Sequence, residues 1–326
     1  MNKTLLAILI AATSSSVLAN EIYSNETTKV SMKGEVDAYF ASTDIKGTKT
    51  DADVNMWAKI QMDAEQKLSD TLTSFASFEI ESGSWYDGTD SEAKFDDVYV
   101  GVKTDIWGIA VGETGDLADS MDAIEKDDIT NEGNYLGGAG GHHRESKGKG
   151  IVAKTKFGPM SFVVDYNTVA DDDIDSTIGV SADYSNDFVS VGASYISGEA
   201  DANTDLEIMG VSVSTEIQGI YLAATYVDFE GVNSFGFYKT ADYTSGKTLS
   251  AAASYKFDDI RVYTTFSSVD VDDTNTNKYG DSSNWVVGTD YAYNDDILIF
   301  AEYQQGEADW HSEDSSTIVT GVYYTF

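Results

Sequence analysis

Apolar and polar residues alternate along most of this chain with a period of two, the signature of strands with one apolar and one wet face rather than of helices. Near the start, Val30, Met32, Gly34, Val36, Ala38 and Phe40 share one face, and Lys29, Ser31, Lys33, Glu35, Asp37 and Tyr39 share the other. The next run places Val54, Met56, Ala58, Ile60 and Met62 opposite Asn55, Trp57, Lys59, Gln61 and Asp63. Such runs extend over about ten residues, the length a tilted strand needs to cross a bilayer.

Sixteen runs can be counted, near 30–41, 53–66, 71–81, 95–104, 107–114, 149–157, 160–167, 176–184, 188–198, 206–216, 219–229, 247–257, 259–269, 284–293, 297–305 and 316–326, and the stretch 232–243 has room for an extra pair. Short turns rich in Asn, Asp and Gly separate some of them: Leu68-Ser69-Asp70, Gly158-Pro159, Ser185-Asn186-Asp187, Gln218-Gly219, Asp258-Asp259 and Asn294-Asp295-Asp296. These residues tolerate positive φ or bond to their own backbone, which suits hairpin turns. Longer acidic loops alternate with them: Thr43–Asp53, Gly83–Glu92, Ala170–Asp175, Gly198–Asp205, Asp270–Asp281 and Gly306–Asp314. No linker or composition break divides residues 20–326, which read as one domain.

A soluble β-sandwich also alternates, so periodicity alone leaves two architectures. The runs are longer than ordinary strands of about five or six residues. Loop lengths differ between the two ends, as in outer-membrane barrels. The chain also stops inside a strand, with Ile318, Thr320, Val322, Tyr324 and Phe326 on one face. Together these predict an all-β transmembrane antiparallel barrel of about sixteen strands, with short periplasmic turns and long external loops. Tyr184, Tyr195, Tyr226, Tyr255, Tyr291, Tyr293, Tyr303, Tyr323 and Tyr324, near strand ends, are expected to form interfacial girdles.

Charge narrows the function. The 326 residues carry 56 Asp+Glu against 20 Lys+Arg, a formal charge of −36, which excludes a binder of nucleic-acid phosphates. The chain has no Cys, hence no disulfide framework or thiolate zinc site, and its three His (His142, His143 and His311) leave little for His-based catalysis. At the N-terminus, Lys3, the apolar stretch Leu5–Ala12 and Val17-Leu18-Ala19 read as a secretory signal, residues 1–19, cut after Ala19.

The opening strand Val30–Phe40, the segment Val111-Gly112-Glu113-Thr114-Gly115-Asp116, the hairpin Asn284–Tyr303 and the terminal Val322-Tyr323-Tyr324-Thr325-Phe326 resemble, in this order, the general porins of Gram-negative outer membranes. Within them the chain looks closest to the OmpU-like porins of vibrios. The resemblance implies a sixteen-stranded barrel assembled as a homotrimer, with its third external loop folded into the lumen. It also implies passive diffusion of small hydrophilic solutes and ions, contact with lipopolysaccharide and outer-membrane lipids, and a terminal aromatic signal, Tyr324 and Phe326, for the outer-membrane assembly machinery.

The longest connection, 115–148, matches that third loop, and connections so long without a strand are usually functional or disordered. It holds Asp116, Asp119, Asp122, Glu125, Asp127, Asp128 and Glu132. By resemblance Asp128 and Glu132 fall near the family's inward carboxylates, while Glu113 stands where an arginine is common. The family's opposing basic wall has candidates in Lys33 and Lys59 by alternation, and in Lys147 and Lys149 by resemblance. Lys147 and Lys149 share parity with Ile151 and Phe157, so they face inward only if alternation breaks. The surplus of carboxylates predicts a preference for cations.

Other signals carry less. His142-His143 point apart on a strand and lack a third ligand, so no metal or other cofactor is expected. Asp270–Asn275 lacks the Gly and Glu of a calcium loop. No arrangement of His, Ser and carboxylates forms a catalytic site, so an enzyme is not expected. A substrate-specific channel needs an aromatic track, for which Tyr39, Trp57 and Phe75 are scattered candidates, and an exported adhesin is the remaining alternative.

Overall fold

A computed structural model describes residues 20–85, 90–113, 119–133, 150–272 and 279–326. A short strand, β1 (Asn20–Ser24), precedes β2 (Thr28–Ile45), β3 (Thr48–Lys67), β4 (Thr73–Ser84), β5 (Asp90–Lys103) and β6 (Trp107–Gly112). After a short 3-10 helix at Asp119–Ile124 come β7 (Gly150–Phe157), β8 (Met160–Asn167), β9 (Thr177–Ser185), β10 (Ser190–Asp201), β11 (Thr204–Ile217) and β12 (Ile220–Phe235). The chain ends with β13 (Tyr238–Phe257), β14 (Ile260–Asp272), β15 (Asp281–Ala292), β16 (Ile297–Ala308) and β17 (Ser315–Thr325). From β2 onward each strand pairs antiparallel with the next, and β17 pairs with β2 from Ser316↔Asp44 to Thr325↔Glu35. The sheet is therefore a closed barrel of sixteen strands, which removes every lateral edge.

The two faces are inverted relative to a soluble protein. Val54, Met56, Ile60, Val100, Val164, Val211, Leu249, Val262 and Ile318 stand exposed on the outside. Ser77, Glu79, Asp165, Ser212, Thr225, Ser250, Asn284, Glu302 and Thr317 are buried on the inside. A soluble sandwich would aggregate through such a contiguous apolar exterior. In lipid it is the favourable solution, because a closed barrel satisfies its backbone hydrogen bonds internally. The described girdle tyrosines mostly face outward, with Tyr184, Tyr195, Tyr226, Tyr255, Tyr291, Tyr293 and Tyr324 exposed. Tyr323 does not belong to the girdle. It alternates with Tyr324, faces inward and hydrogen-bonds Glu132.

All sixteen runs become strands, but several expected loops are shorter than read. Between Thr43 and Asp53 the β2–β3 hairpin continues to Ile45↔Thr48 and closes at Lys46-Gly47, both with positive φ (52° and 78°), as a type I′ turn needs. Likewise β10 and β11 pair out to Asp201↔Thr204 within the expected loop Gly198–Asp205. The stretch 232–243 holds no extra pair of strands; it prolongs β12 and β13, which meet at Phe235↔Tyr238. At the other end, Gln218-Gly219 (φ 54° and 79°) again makes a positive-φ turn, and Asn186 Oδ1 accepts from the Phe188 and Val189 amides.

The unexpected strand β1 extends the closing seam. Phe326 exchanges backbone hydrogen bonds with Gly34 at 2.8 and 2.9 Å, and Asn20 pairs with Met32 next along the same edge of β2. The Phe326 ring lies over Gly34, where an added Cβ would come within 2.4 Å of Cζ. A glycine at position 34 is thus what allows the terminal ring to close against the barrel.

Candidate functional site

Alternation turns Lys33, Glu35, Asp37 and Tyr39 of β2, and Trp57, Lys59, Gln61 and Asp63 of β3, towards the lumen. Lys59 is half-buried and bridges two carboxylates, Glu79 at 3.4 Å and Glu35 at 3.9 Å. Lys94 likewise meets Glu81 at 2.8 Å and Asp96 at 3.6 Å. Lys103 pairs with Glu65, Lys126 with Asp183, and the Arg261 Nε donates to Asp290 at 2.8 Å. These lumen cations are each matched by at least one carboxylate, and two of them by a pair.

The described part of the β6–β7 connection, residues 119–133, lies against the inner wall. Inward-facing glycines on three neighbouring strands leave a floor for its 3-10 turn: a Cβ on Gly179 would meet Ser120 Oγ at 2.2 Å, on Gly192 the Ala123 carbonyl at 1.7 Å, and on Gly210 the Ile124 Cδ1 at 2.5 Å. Met121 and Ile124 are fully buried and join an apolar cluster with Ile196, Leu206, Ile208 and Val227. The Ser120 amide donates to Asp165 at 2.8 Å. Further along, Thr225 and Ser250 donate to the buried Asp127 carboxylate, and the Tyr221 hydroxyl donates to the Lys126 carbonyl at 2.6 Å.

The segment ends in a clamp. The two oxygens of buried Glu302 accept the Asn131 amide at 2.6 Å and the Glu132 amide at 2.8 Å. Tyr263 donates to the same carboxylate at 2.6 Å and accepts from Asn131 Nδ2 at 2.7 Å. Arg261 lies 4.4 Å over the Tyr263 ring. Beyond the clamp, Tyr323 donates to Glu132 Oε1 at 2.6 Å. The segment thus follows the inner surface from β8 round to β17.

Of the carboxylates expected here, Asp122 and Asp128 are open to the lumen and Glu132 is half-buried. Glu113 follows β6, half-buried, with its amide bonded to the Val98 carbonyl at 2.9 Å. Asp119 opens the 3-10 turn. Asp116, Lys147 and Lys149 lie outside the described residues. Lys33 is half-buried on the inner face, and Tyr324 is exposed on the outer one. Among the described residues, no Lys or Arg makes an ion pair with Glu125, Asp128 or Glu132. Glu125, half-buried and already counted among the acidic residues of this connection, completes the set.

Burial, then the nearby Asp122, Asp128 and Asp127 carboxylates, push Glu125 up to about 8. Burial also raises Glu132 to about 7, against hydrogen bonds from Tyr323 and Tyr39 that favour its charged form. Enclosure by the walls and the adjacent Asp127 and Glu302 raise Asp128 too, although its carboxylate stays in contact with lumen water. A raised carboxyl is neutral below its shifted pKa, so negative charge is lost as pH falls through about 8 and then 7. Any preference for cations should therefore weaken between pH 8 and pH 6, where ordinary carboxylates near 4.3 would leave it unchanged. Reversal potentials at the two pH values check this.

A closed barrel with an apolar exterior, a charged interior and a segment laid along its inner wall defines an outer-membrane channel. The sequence matches the Gram-negative porin family over residues 6–326, and the chain belongs to that family. It is an outer-membrane, multi-pass β-barrel that forms a channel for passive diffusion. No curated protein matches it. Among solved structures, it is similar to Salmonella typhi OmpF in complex with daunomycin, with a TM-score of 0.77 and 17% identity over 94% of this chain and 100% of that one. It also resembles OmpT of Vibrio cholerae (TM-score 0.71, 14% identity, 94% and 100% covered). A substituted Rh. blastica porin gives a TM-score of 0.70 at 16% identity, with 91% and 100% covered.

Proposed function

We propose that the channel prefers cations and that residues 119–133, in the connection 115–148, form its constriction. The observation that carries this is the asymmetry of lumen charge: Lys59, Lys94, Lys103, Lys126 and Arg261 sit against carboxylates, while Glu125, Asp128 and Glu132 have no cationic partner among the described residues. Unpaired carboxylates along an ion path concentrate cations. Glu113, Asp116, Asp119 and Asp122 extend the acidic set, with Lys33, Lys59, Lys147 and Lys149 as the basic wall. The protein acts without catalysis and without a cofactor. In proteoliposomes, lysine should enter faster than glutamate, with neutral sugars entering in order of size. Equal rates for the two amino acids would contradict the charge reading while leaving the channel intact.

Family membership supports further assignments. Three copies assemble as a homotrimer in contact with lipopolysaccharide and outer-membrane lipids, with the short turns periplasmic and the long loops external. The opening strand and the hairpin Asn284–Tyr303 support a kinship with the OmpU-like porins. Residues 1–19 are a signal removed after Ala19. Tyr324 and Phe326 serve as the signal read by the assembly machinery.

A further inference from the structure

The β12–β13 hairpin outgrows its neighbours. Pairing with β11 stops at Glu230, and pairing with β14 stops at Ser245, so residues 231–244 continue with no strand on either side among the described residues. An exposed hairpin should be polar throughout, yet Val232, Phe235 and Tyr238 are buried to 2% exposure or less. Two register shifts, between Glu230 and Val232 and between Val232 and Ser234, together with Gly231 at φ 81°, bend it at its base.

The tip packs on the rim at the β16–β17 connection. The Tyr238 hydroxyl donates to the Gly306 carbonyl at 2.7 Å and lies 3.4 Å from the Glu313 carbonyl. Trp310 Nε1 donates to the Lys239 carbonyl at 3.3 Å, and its ring meets Phe235 and Tyr238 edge-on at 6.1 and 6.4 Å. Lys46, from the β2–β3 turn, lies 5.5 Å over the Tyr238 ring. Closer to the base, Tyr279 accepts the Ala241 amide at 3.0 Å. Trp310 and Glu313 belong to the β16–β17 connection, Gly306 to the end of β16, Lys46 to the β2–β3 turn and Tyr279 to the approach to β15, while Val232 and Phe235 share an apolar cluster with Leu206 of β11 and Val269 and Val271 of β14.

The hairpin covers part of the opening. Its bend brings the Phe235 ring to 5.7 Å from the Phe229 ring at its own base, so the tip leans over the mouth instead of standing away from it. Sixteen strands about 4.8 Å apart and tilted about 40° enclose a barrel roughly 30 Å across. A segment held at both ends removes cross-section from this mouth independently of the β6–β7 segment deeper in the lumen.

We propose that the β12–β13 hairpin is a strap across part of the long-loop mouth that adds a size filter ahead of the constriction, with Tyr238 and Trp310 as its latch. The strap acts on every solute by size, whereas the carboxylates deeper in the pore act by charge. Its loss should therefore move the size limit and leave the sign of ion preference unchanged.

The test uses saccharides of increasing length in liposome swelling, together with single-channel conductance. The Tyr238→Ala/Trp310→Ala variant should conduct more and admit longer saccharides than the parent, with the reversal potential keeping its sign. The chain lacks cysteine, so Phe237→Cys and Gly306→Cys, whose side chains would adjoin, add a reversible lock. In a Trp310→Ala background, oxidising this pair should restore the parental size limit and reducing it should raise the limit. That comparison uses one folded protein and does not depend on the double-alanine variant assembling. Identical saccharide cut-offs in the oxidised and reduced forms would overturn the proposal.

Discussion

Replacing Asp128 by Asn and Glu132 by Gln lowers the permeability of K⁺ relative to Cl⁻ by up to roughly tenfold in dilute salt at pH 8. A unit charge about 5 Å from an ion path is worth roughly 0.8 kcal/mol even at the dielectric constant of water, about a fourfold change in local cation concentration. Two such charges, with partial screening, give the larger figure. Both substitutions preserve shape, and Asp128 already faces water, so the barrel should assemble normally. The wall lysines offer no compensation by rearrangement, since Lys59 remains held between Glu35 and Glu79. Reversal potentials of parent and variant across a KCl gradient measure the change. An unaltered ratio would place the selecting charges elsewhere.

The second large effect is expected at Glu302, which acts through the segment it holds. Glu302→Ala leaves the Asn131 and Glu132 amides and the Tyr263 hydroxyl without their acceptor. Each buried polar group left unsatisfied costs about 1–3 kcal/mol, enough in sum to detach the end of the segment from the wall. The barrel itself should persist, because the backbone pairs Glu302↔Val319 and Gly288↔Glu302 are unaffected by the side chain. Single-channel records should then show a fluctuating current and weaker cation preference, as Glu132 leaves its fixed place beside Tyr323. Glu302→Gln keeps one accepting oxygen but turns an N–H₂ towards a donor, and should fall between the two. A steady current with parental selectivity in the alanine variant would mean that the contacts through β8 to β13 hold the segment alone.

The barrel was legible in the sequence because lipid and lumen impose opposite demands on alternate residues. Val54, Met56 and Ile60 on one face of β3 and Asn55, Trp57 and Lys59 on the other satisfy both at once. The signal fades where that contrast fades. Between Thr43 and Asp53 both faces are polar, so hydropathy has no period there and the strand continues on backbone hydrogen bonds and the turn at Lys46-Gly47. In β11 the reverse happens: Leu206 and Ile208 face inward to cover Ile124, so apolar residues occupy both faces. Parity also corrects the girdle, since Tyr323 and Tyr324 cannot both face lipid.

The site was less legible, for a different reason. Alternation assigns Glu302 and Tyr263 to the wet face but does not distinguish a side chain bathed in water from one that clamps a segment 170 residues away in the chain. Acidic density did mark the β6–β7 connection, and Asp128 and Glu132 lie in its described part. The glycines at 179, 192 and 210, all on inward positions of adjacent strands, were the available clue to where that segment docks. Their meaning requires the register between strands, which the pattern of one strand does not contain.

Cation preference is tested by the reversal potential of the unmodified protein across a tenfold KCl gradient at pH 8, in a planar bilayer. The lumen charges predict a potential of the sign set by K⁺. A potential near zero, or of the sign set by Cl⁻, would contradict the assignment of Glu125, Asp128 and Glu132 to the ion path.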